Sequence, residues 1–323
     1  MATVETTTTG GIEIRGLTRH FGAVKAVDGL DITIDHQMIY GLVGPDGAGK
    51  TTTMRMLCSL ISPDSGTATI GGLDIVSQTA QIRSLIGYMP QKFSLYGDLT
   101  VRENLEFYAE IYQTPQVTRE EKIQSLLEFS SLTNHSTKLA DQLSGGMKQK
   151  LALACNLIHT PKYLFLDEPT IGVDPVARRE LWKILFELRD QGATIFVSTP
   201  YMDEAERCDV IGLMDQGRII TQNPPETVIQ EFDRHILEIR SDNNHRILDL
   251  LPGQSYIEDA YLMGEELHLV TADVGQAMMS LQKLFAESNI TIETMAETPP
   301  SLEDVFVHLV KRDQLGGTFG KRN

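Results

Sequence analysis

Gly44-Pro45-Asp46-Gly47-Ala48-Gly49-Lys50-Thr51 decides how the rest of this chain is read. The run has the spacing G-x-x-x-x-G-K-[ST], in which glycines let successive backbone N–H groups turn toward one anion. It follows the apolar stretch Met38-Ile39-Tyr40-Gly41-Leu42-Val43 and leads into Thr52-Thr53-Met54-Arg55-Met56-Leu57. That is the strand–loop–helix setting a phosphate-cradling loop requires, and the helix start adds the positive end of its dipole. In this setting Lys50 reaches the β- and γ-phosphates of a nucleotide and the Thr51 hydroxyl ligates magnesium.

Working outward, the flanks are strand-like. Ile12-Glu13-Ile14 and Leu30-Asp31-Ile32-Thr33-Ile34 alternate apolar and polar, which predicts strands ahead of the loop. Ser62-Pro63-Asp64-Ser65-Gly66 reads as a turn before a short strand Thr67-Ala68-Thr69-Ile70. Residues 101 to 140 carry helical spacing (Leu105, Tyr108, Ile111; Ile123, Leu126, Leu127), broken at Thr114-Pro115. From 144 to 225, helical and apolar segments alternate: Tyr163-Leu164-Phe165-Leu166, Glu180 to Arg189, then Thr194-Ile195-Phe196-Val197-Ser198. Such alternation predicts a mostly parallel sheet with crossover helices, an α/β fold.

The order changes beyond Asn223-Pro224-Pro225. The pattern predicts strand 236–240, helix 245–251, strand 256–262, strand 266–270, helix 273–287 and strand 290–295. This is β-α-β-β-α-β, the ferredoxin-like arrangement. A last helix follows Pro299-Pro300, with Ser301 as N-cap and Asp304 three residues on. The expected domains are therefore a tail at 1–11, a nucleotide-binding unit at 12–225, an α+β appendage at 230–310 and a tail or linker at 311–323.

The net charge of -16 argues against a nucleic-acid partner, whose footprint is basic. Cys58, Cys155 and Cys208 are far apart and form no CxxC, which points away from a metal or disulfide framework and toward a reduced, cytosolic setting. No signal peptide and no run of 18 apolar residues is expected to insert this chain in a membrane.

Four more segments follow in order: Gly87-Tyr88-Met89-Pro90-Gln91, Leu143-Ser144-Gly145-Gly146-Met147, Tyr163-Leu164-Phe165-Leu166-Asp167-Glu168 and Gly172-Val173-Asp174-Pro175. With the glycine loop they resemble the ATP-binding cassette of an ABC transporter over residues 12 to about 225. The resemblance implies a RecA-like core, an antiparallel β subdomain and a helical subdomain at 92–140. It implies ATP and Mg2+ as ligands, held by Gly44, Pro45, Asp46, Gly47, Ala48, Gly49, Lys50, Thr51 and Thr52. Asp167 at a strand end, with Thr51 and Gln91, serves the metal. Glu168 polarises the attacking water, and Gln91 and Lys50 complete the catalytic set. Ser144, Gly145 and Gly146 face the γ-phosphate bound by another cassette, so a second cassette is an implied partner. Phe21 resembles the aromatic that stacks on adenine; a core aromatic is the other reading.

Tyr96-Gly97-Asp98-Leu99-Thr100-Val101 and Pro300-Ser301-Leu302-Glu303-Asp304-Val305-Phe306 are similar to drug-export ATPases that serve ABC-2-type permeases. The combination of loop, Gln91 and Ser144 segments resembles the first cassette of two-cassette, YbhF-type subunits. An integral-membrane ABC-2-type permease is thus an implied partner, with this chain cytoplasmic and peripheral on the cytoplasmic face of the cell membrane. Two positions depart from the family. Asp46 stands where Asn or Ser is usual. Pro200, after Ser198-Thr199, stands where the family has a histidine that contacts the γ-phosphate; proline brings neither a side-chain donor nor a backbone N–H. Either that site lacks a contact or the change is compensated nearby. A poorly hydrolytic regulatory cassette is the alternative function.

Overall fold

A computed structural model describes residues 10–92 and 95–314. The chain divides into two compact units, one ending at Gln222 and the other beginning at Asn223.

In the first unit, β1 (Ile12–Phe21) and β2 (Val24–Ile34) pair antiparallel, Ile12 opposite Ile34 and Phe21 opposite Val24. Gly10 and Gly11, expected in the tail, are held: Tyr163 Oη donates to Gly10 O at 2.5 Å and Gly71 N to Gly11 O at 2.9 Å. β3 (Ile39–Val43) runs into the glycine loop and α1 (Lys50–Leu57) leaves it. β4 (Ser65–Ile70) and β5 (Leu73–Asp74) complete a four-stranded sheet in the order β2-β1-β4-β5. Ser65 and Gly66 lie in a strand and not in the expected turn, because Ser65 pairs with Thr18 and Gly66 lies against the Gly16 carbonyl, where a Cβ would stand 2.3 Å from the oxygen.

α2 (Thr79–Leu85) leads to β6 (Ile86–Met89). A helical layer follows: α3 (Val101–Ile111), α4 (Gln116–Phe129) and α5 (Gly145–Leu157). A reciprocal cap between Thr100 and Glu103 starts α3. Its core joins Leu105, Ile123 and Leu127 to Leu151 and Cys155, so the layer extends past the expected 92–140 into α5. Then come β7 (Tyr163–Asp167), α6 (Pro175–Asp190), β8 (Thr194–Thr199), α7 (Met202–Ala205), β9 (Val210–Asp215) and β10 (Arg218–Asn223).

The main sheet has six strands in the order β10-β9-β3-β8-β7-β6, and β9, β3, β8, β7 and β6 are joined by parallel pairing. Every residue of β3, β7 and β8 is buried, which is why these strands read as unbroken apolar runs. Parallel strands end on the same edge. The glycine loop, Gln91, Asp167-Glu168 and Thr199-Pro200 therefore leave the sheet together.

The second unit contains α8 (Pro225–Gln230), β11 (His235–Ser241), α9 (Asn244–Leu250), β12 (Asp259–Met263), β13 (Glu266–Thr271), α10 (Val274–Glu287), β14 (Ile292–Thr298) and α11 (Leu302–Gln314). Its sheet runs β12-β13-β11-β14, each neighbour antiparallel. Leu237, Ile239, Leu267 and Leu269 on one face pack with Ala277, Leu281 and Phe285, spaced by four along α10. β12 starts at Asp259, later than expected, because Tyr256 and Ile257 are tied into a turn by Thr271 Oγ1 donating to Tyr256 O and Ile257 N to Gln254 O. Residues 311–314, expected in the tail, continue α11, where Lys311 Nζ reaches Asp259 Oδ1 at 2.6 Å. Among the described residues no helix is long and apolar enough to cross a membrane.

Candidate functional site

The glycine loop is shaped by close backbone approaches. A Cβ on Gly44 would lie 2.1 Å from Met214 O, and one on Gly49, at φ +110°, would lie 2.2 Å from Ala26 O. Only glycine fits either place. Pro45, Asp46 and Gly47 are exposed, Ala48 is buried, and Thr51 and Thr52 are half-buried in the first turn of α1. That turn has N–H groups with no helical acceptor, an anion site by construction.

Lys50 is buried, and its Nζ donates to Gly44 O at 2.8 Å and Pro45 O at 3.0 Å. The same ammonium stands 3.0 Å from Glu168 Oε1. Gln91 Nε2 donates to the other carboxylate oxygen of Glu168 at 2.6 Å. Ser198, opposite Asp167 in the β7–β8 register, donates its hydroxyl to Asp167 Oδ1 at 2.7 Å and accepts from Glu168 N at 3.0 Å. Glu168 holds a φ of +50°, a left-handed conformation costing a non-glycine residue about 1–3 kcal/mol. Hydrogen bonds from Glu168 N to both Ser198 O and Ser198 Oγ sustain it.

Asp167 Oδ2 is buried without a hydrogen-bond partner among the described residues. A buried carboxylate oxygen with no donor is costly, and a hard cation or its water is the complement that removes the cost. The donor set therefore fits Mg2+, with the half-buried Thr51 hydroxyl as a second oxygen. Cys58 and Tyr88 flank Asp167. Burial first, then that carboxylate, pushes the Cys58 thiol well above its ordinary value and Tyr88 up to about 12, so neither ionises at neutral pH.

Ser144 caps α5, its Oγ accepting from Met147 N at 3.3 Å. Gly146 packs on α6, where a Cβ would stand 2.4 Å from Ala177 Cβ. A groove of about 390 Å³ lies between Gln91, Lys92 and Leu95 on one side and Gly145, Lys148 and Gln149 on the other. Gln91 thus touches Glu168 and also borders the helix that Ser144 begins. Asp174 caps α6, and the amides of Ala177 and Val176 hold its carboxyl below the usual range. Phe21 is 48% exposed at the end of β1, with the Arg19 guanidinium 5.0 Å from its ring centroid, so it is not a core aromatic.

A sequence profile described as "ABC transporter" matches residues 27–171. Over 304 residues the chain is 36% identical to Nod factor export ATP-binding protein I of Rhizobium sp. (strain N33), covering 94% of this chain and 97% of that protein. The chain belongs to the ABC transporter ATP-binding proteins. It is also 41% identical over 303 residues to the probable multidrug ABC transporter ATP-binding protein YbhF of Escherichia coli (strain K12), covering 93% of this chain. It spans only 52% of that relative's length. A solved ATP-binding subunit of an ABC transporter superposes with a TM-score of 0.62 at 28% identity, over 69% of this chain and 93% of that one.

Within this cassette, the segment after β8 is tied to α6. Thr199 Oγ1 donates to Glu204 Oε2 at 2.7 Å and accepts from Tyr201 N at 3.1 Å. Glu204 is fully buried, and Arg178 of α6 places its Nε 3.5 Å from Glu204 Oε1 and its guanidinium 4.4 Å from the Tyr201 ring centroid. Pro200 sits inside this clamp.

The structure gathers Gly44, Pro45, Lys50, Gln91, Asp167 and Glu168 into one hydrogen-bonded cluster. Ser144, Gly145 and Gly146 lie on the helical side at the start of α5, where Gly146 packs on α6. Sequence reasoning missed Ser198, Arg178 and Glu204. The one local sign of Ser198 was a hydroxyl closing the apolar run Ile195-Phe196-Val197; its partner is set by strand register.

Proposed function

We propose that this cassette is the ATP-binding and ATP-hydrolysing subunit of an ABC-2-type exporter, peripheral on the cytoplasmic face of the cell membrane and working through an integral-membrane permease. The observation that carries the reading is the buried Lys50–Glu168–Gln91 chain beside the unpartnered Asp167 Oδ2. Gly44 to Thr52 would cradle the triphosphate, and Lys50 would neutralise its β- and γ-oxygens. Thr51, Gln91 and Asp167 would hold Mg2+, whose charge offsets that of the phosphates in the transition state. Glu168, held by the Gln91 amide, accepts the proton of the attacking water. The α+β unit at 230–310, with its strand order β14-β11-β13-β12, is read as a ferredoxin-like appendage of a cassette spanning 12–225. The relatives' names, multidrug and Nod factor export, support small-molecule efflux as the transported class.

Glu168→Gln tests the reading. Turnover should drop by about 10²-fold or more, the range for losing a positioned base, while ATP still binds. Wild-type turnover in that variant removes Glu168 from the chemistry.

Pro200 favours a second arrangement of the same function. A homodimer would repeat a site without that side-chain donor, so we infer pairing with a different cassette, as a separate subunit or in tandem. In that pair this chain lends Ser144, Gly145 and Gly146 to the partner's site. A poorly hydrolytic regulatory cassette is the limiting case.

A further inference from the structure

The second unit holds a cluster that nucleotide chemistry does not use. Glu238 of β11 stands directly across from His268 of β13, and Glu266 lies two residues before His268 on the same sheet face. One ligand atom from each of these three residues lies within 4.8 Å of the other two. His268 is 5% exposed. Its Nδ1 lies 2.6 Å from Oδ1 of Asp304, a fully buried carboxylate on α11. Asp304 is itself fixed: Tyr261 Oη donates to it at 2.9 Å, and Ser301 donates its N at 2.7 Å and its Oγ at 2.5 Å.

That contact selects the tautomer with the proton on Nδ1 and orients the ring. It leaves Nε2, which makes no hydrogen bond among the described residues, as the nitrogen free to bind a ligand. A carboxylate behind a histidine is the outer-sphere arrangement that metal-binding imidazoles use. Charge points the same way. Two carboxylates, Glu238 and Glu266, flank His268, and the Arg240 guanidinium is paired to Glu266 Oε1.

We propose that Glu238, Glu266 and His268 form a site for a divalent transition-metal ion of the Zn2+ class, with Asp304 as the positioning residue behind His268. An imidazole with two carboxylates favours Zn2+ over Mg2+ or Ca2+, which prefer all-oxygen shells. Zinc bonds of about 2.0–2.2 Å put ligand atoms roughly 3.3–3.6 Å apart in a tetrahedron. The two glutamates are half-buried, so rotamer changes can close the remaining distance, and Glu266 Oε2 makes no hydrogen bond among the described residues. A bound ion joins β11 to β13 and, through Asp304, braces α11 against the sheet.

The test is calorimetric titration of Zn2+ into the chelator-stripped full chain, in excess Mg2+ and at alkaline pH, because the Asp304 hydrogen bond raises the His268 pKa and the Nε2 proton must leave before a metal can bind. The expected result is one saturable site per chain, weakened at least about tenfold by His268→Gln and by Glu238→Gln. Glu238→Gln leaves the Asp304 network untouched, so it reports even if the His268 variant misfolds. Absence of a saturable site overturns the proposal, as does a site that Glu238→Gln leaves unchanged. Either result assigns His268 instead to a purely structural pair with Asp304.

Discussion

Lys50 has two anionic suitors, and their competition gives a quantitative expectation for Glu168→Gln. Lys50 Nζ lies 3.0 Å from Glu168 Oε1, with both side chains buried. The triphosphate needs the same ammonium. Binding ATP therefore loosens one charge-assisted contact while making another. At an effective dielectric near 20 the gross attraction at this distance is roughly 5.5 kcal/mol. The net value of a hydrogen bond to a charged group is about 1.5–3 kcal/mol. Replacing the carboxylate by an amide removes most of that competition and also the repulsion between Glu168 and phosphate. The expected outcome is ATP binding about 10- to 100-fold tighter in Glu168→Gln.

The nucleotide-free variant should be less stable, because Lys50 keeps only the Gly44 and Pro45 carbonyls, and ATP should restore it. Calorimetry with and without Mg2+ measures the affinity, and Lys50→Ala closes a double-mutant cycle. If Glu168→Gln binds ATP no more tightly than the unmodified chain, the two anions do not compete and the argument fails.

Three further outcomes are expected. Ser198→Ala strips Asp167 Oδ1 of its donor and should lower stability by about 1.5–3 kcal/mol, together with turnover. Urea unfolding followed at Trp182, the single tryptophan and a buried one in the first unit, measures the stability; unchanged midpoint and turnover would clear Ser198. Pro200→His in the isolated chain should raise turnover, whereas full transporter-level activity in the unmodified homodimer would show that no partner cassette is required. A chain ending at Asn223 should still bind ATP, and loss of binding on that truncation would refute the reading of 12–225 as a self-sufficient cassette.

Much of the architecture was legible because its causes are local. The glycine loop announces itself through spacing, and backbone clashes at Gly44 and Gly49 explain the residue type. β3 and β7 could be read as apolar runs because parallel strands are buried on both faces. Ser301 with Asp304 closes a helix start over three residues, a distance the sequence shows directly.

What escaped reading depends on partners distant in the chain. Lys311 extends the last helix beyond its expected end by reaching Asp259, and Tyr163 holds Gly10 across the fold. The exposure of Phe21 was open until β1 was placed. Sequence by itself determined the chemistry on offer: a phosphate loop, a strand-end acid pair, a glutamine and a glycine-rich helix start. Only tertiary structure decided that one serine hydroxyl serves both acids and that Asp304, a helix cap by sequence, also holds a buried histidine. Register between strands and the packing of a helix on a sheet are properties of the whole chain, so no local pattern can encode which side chains they bring face to face.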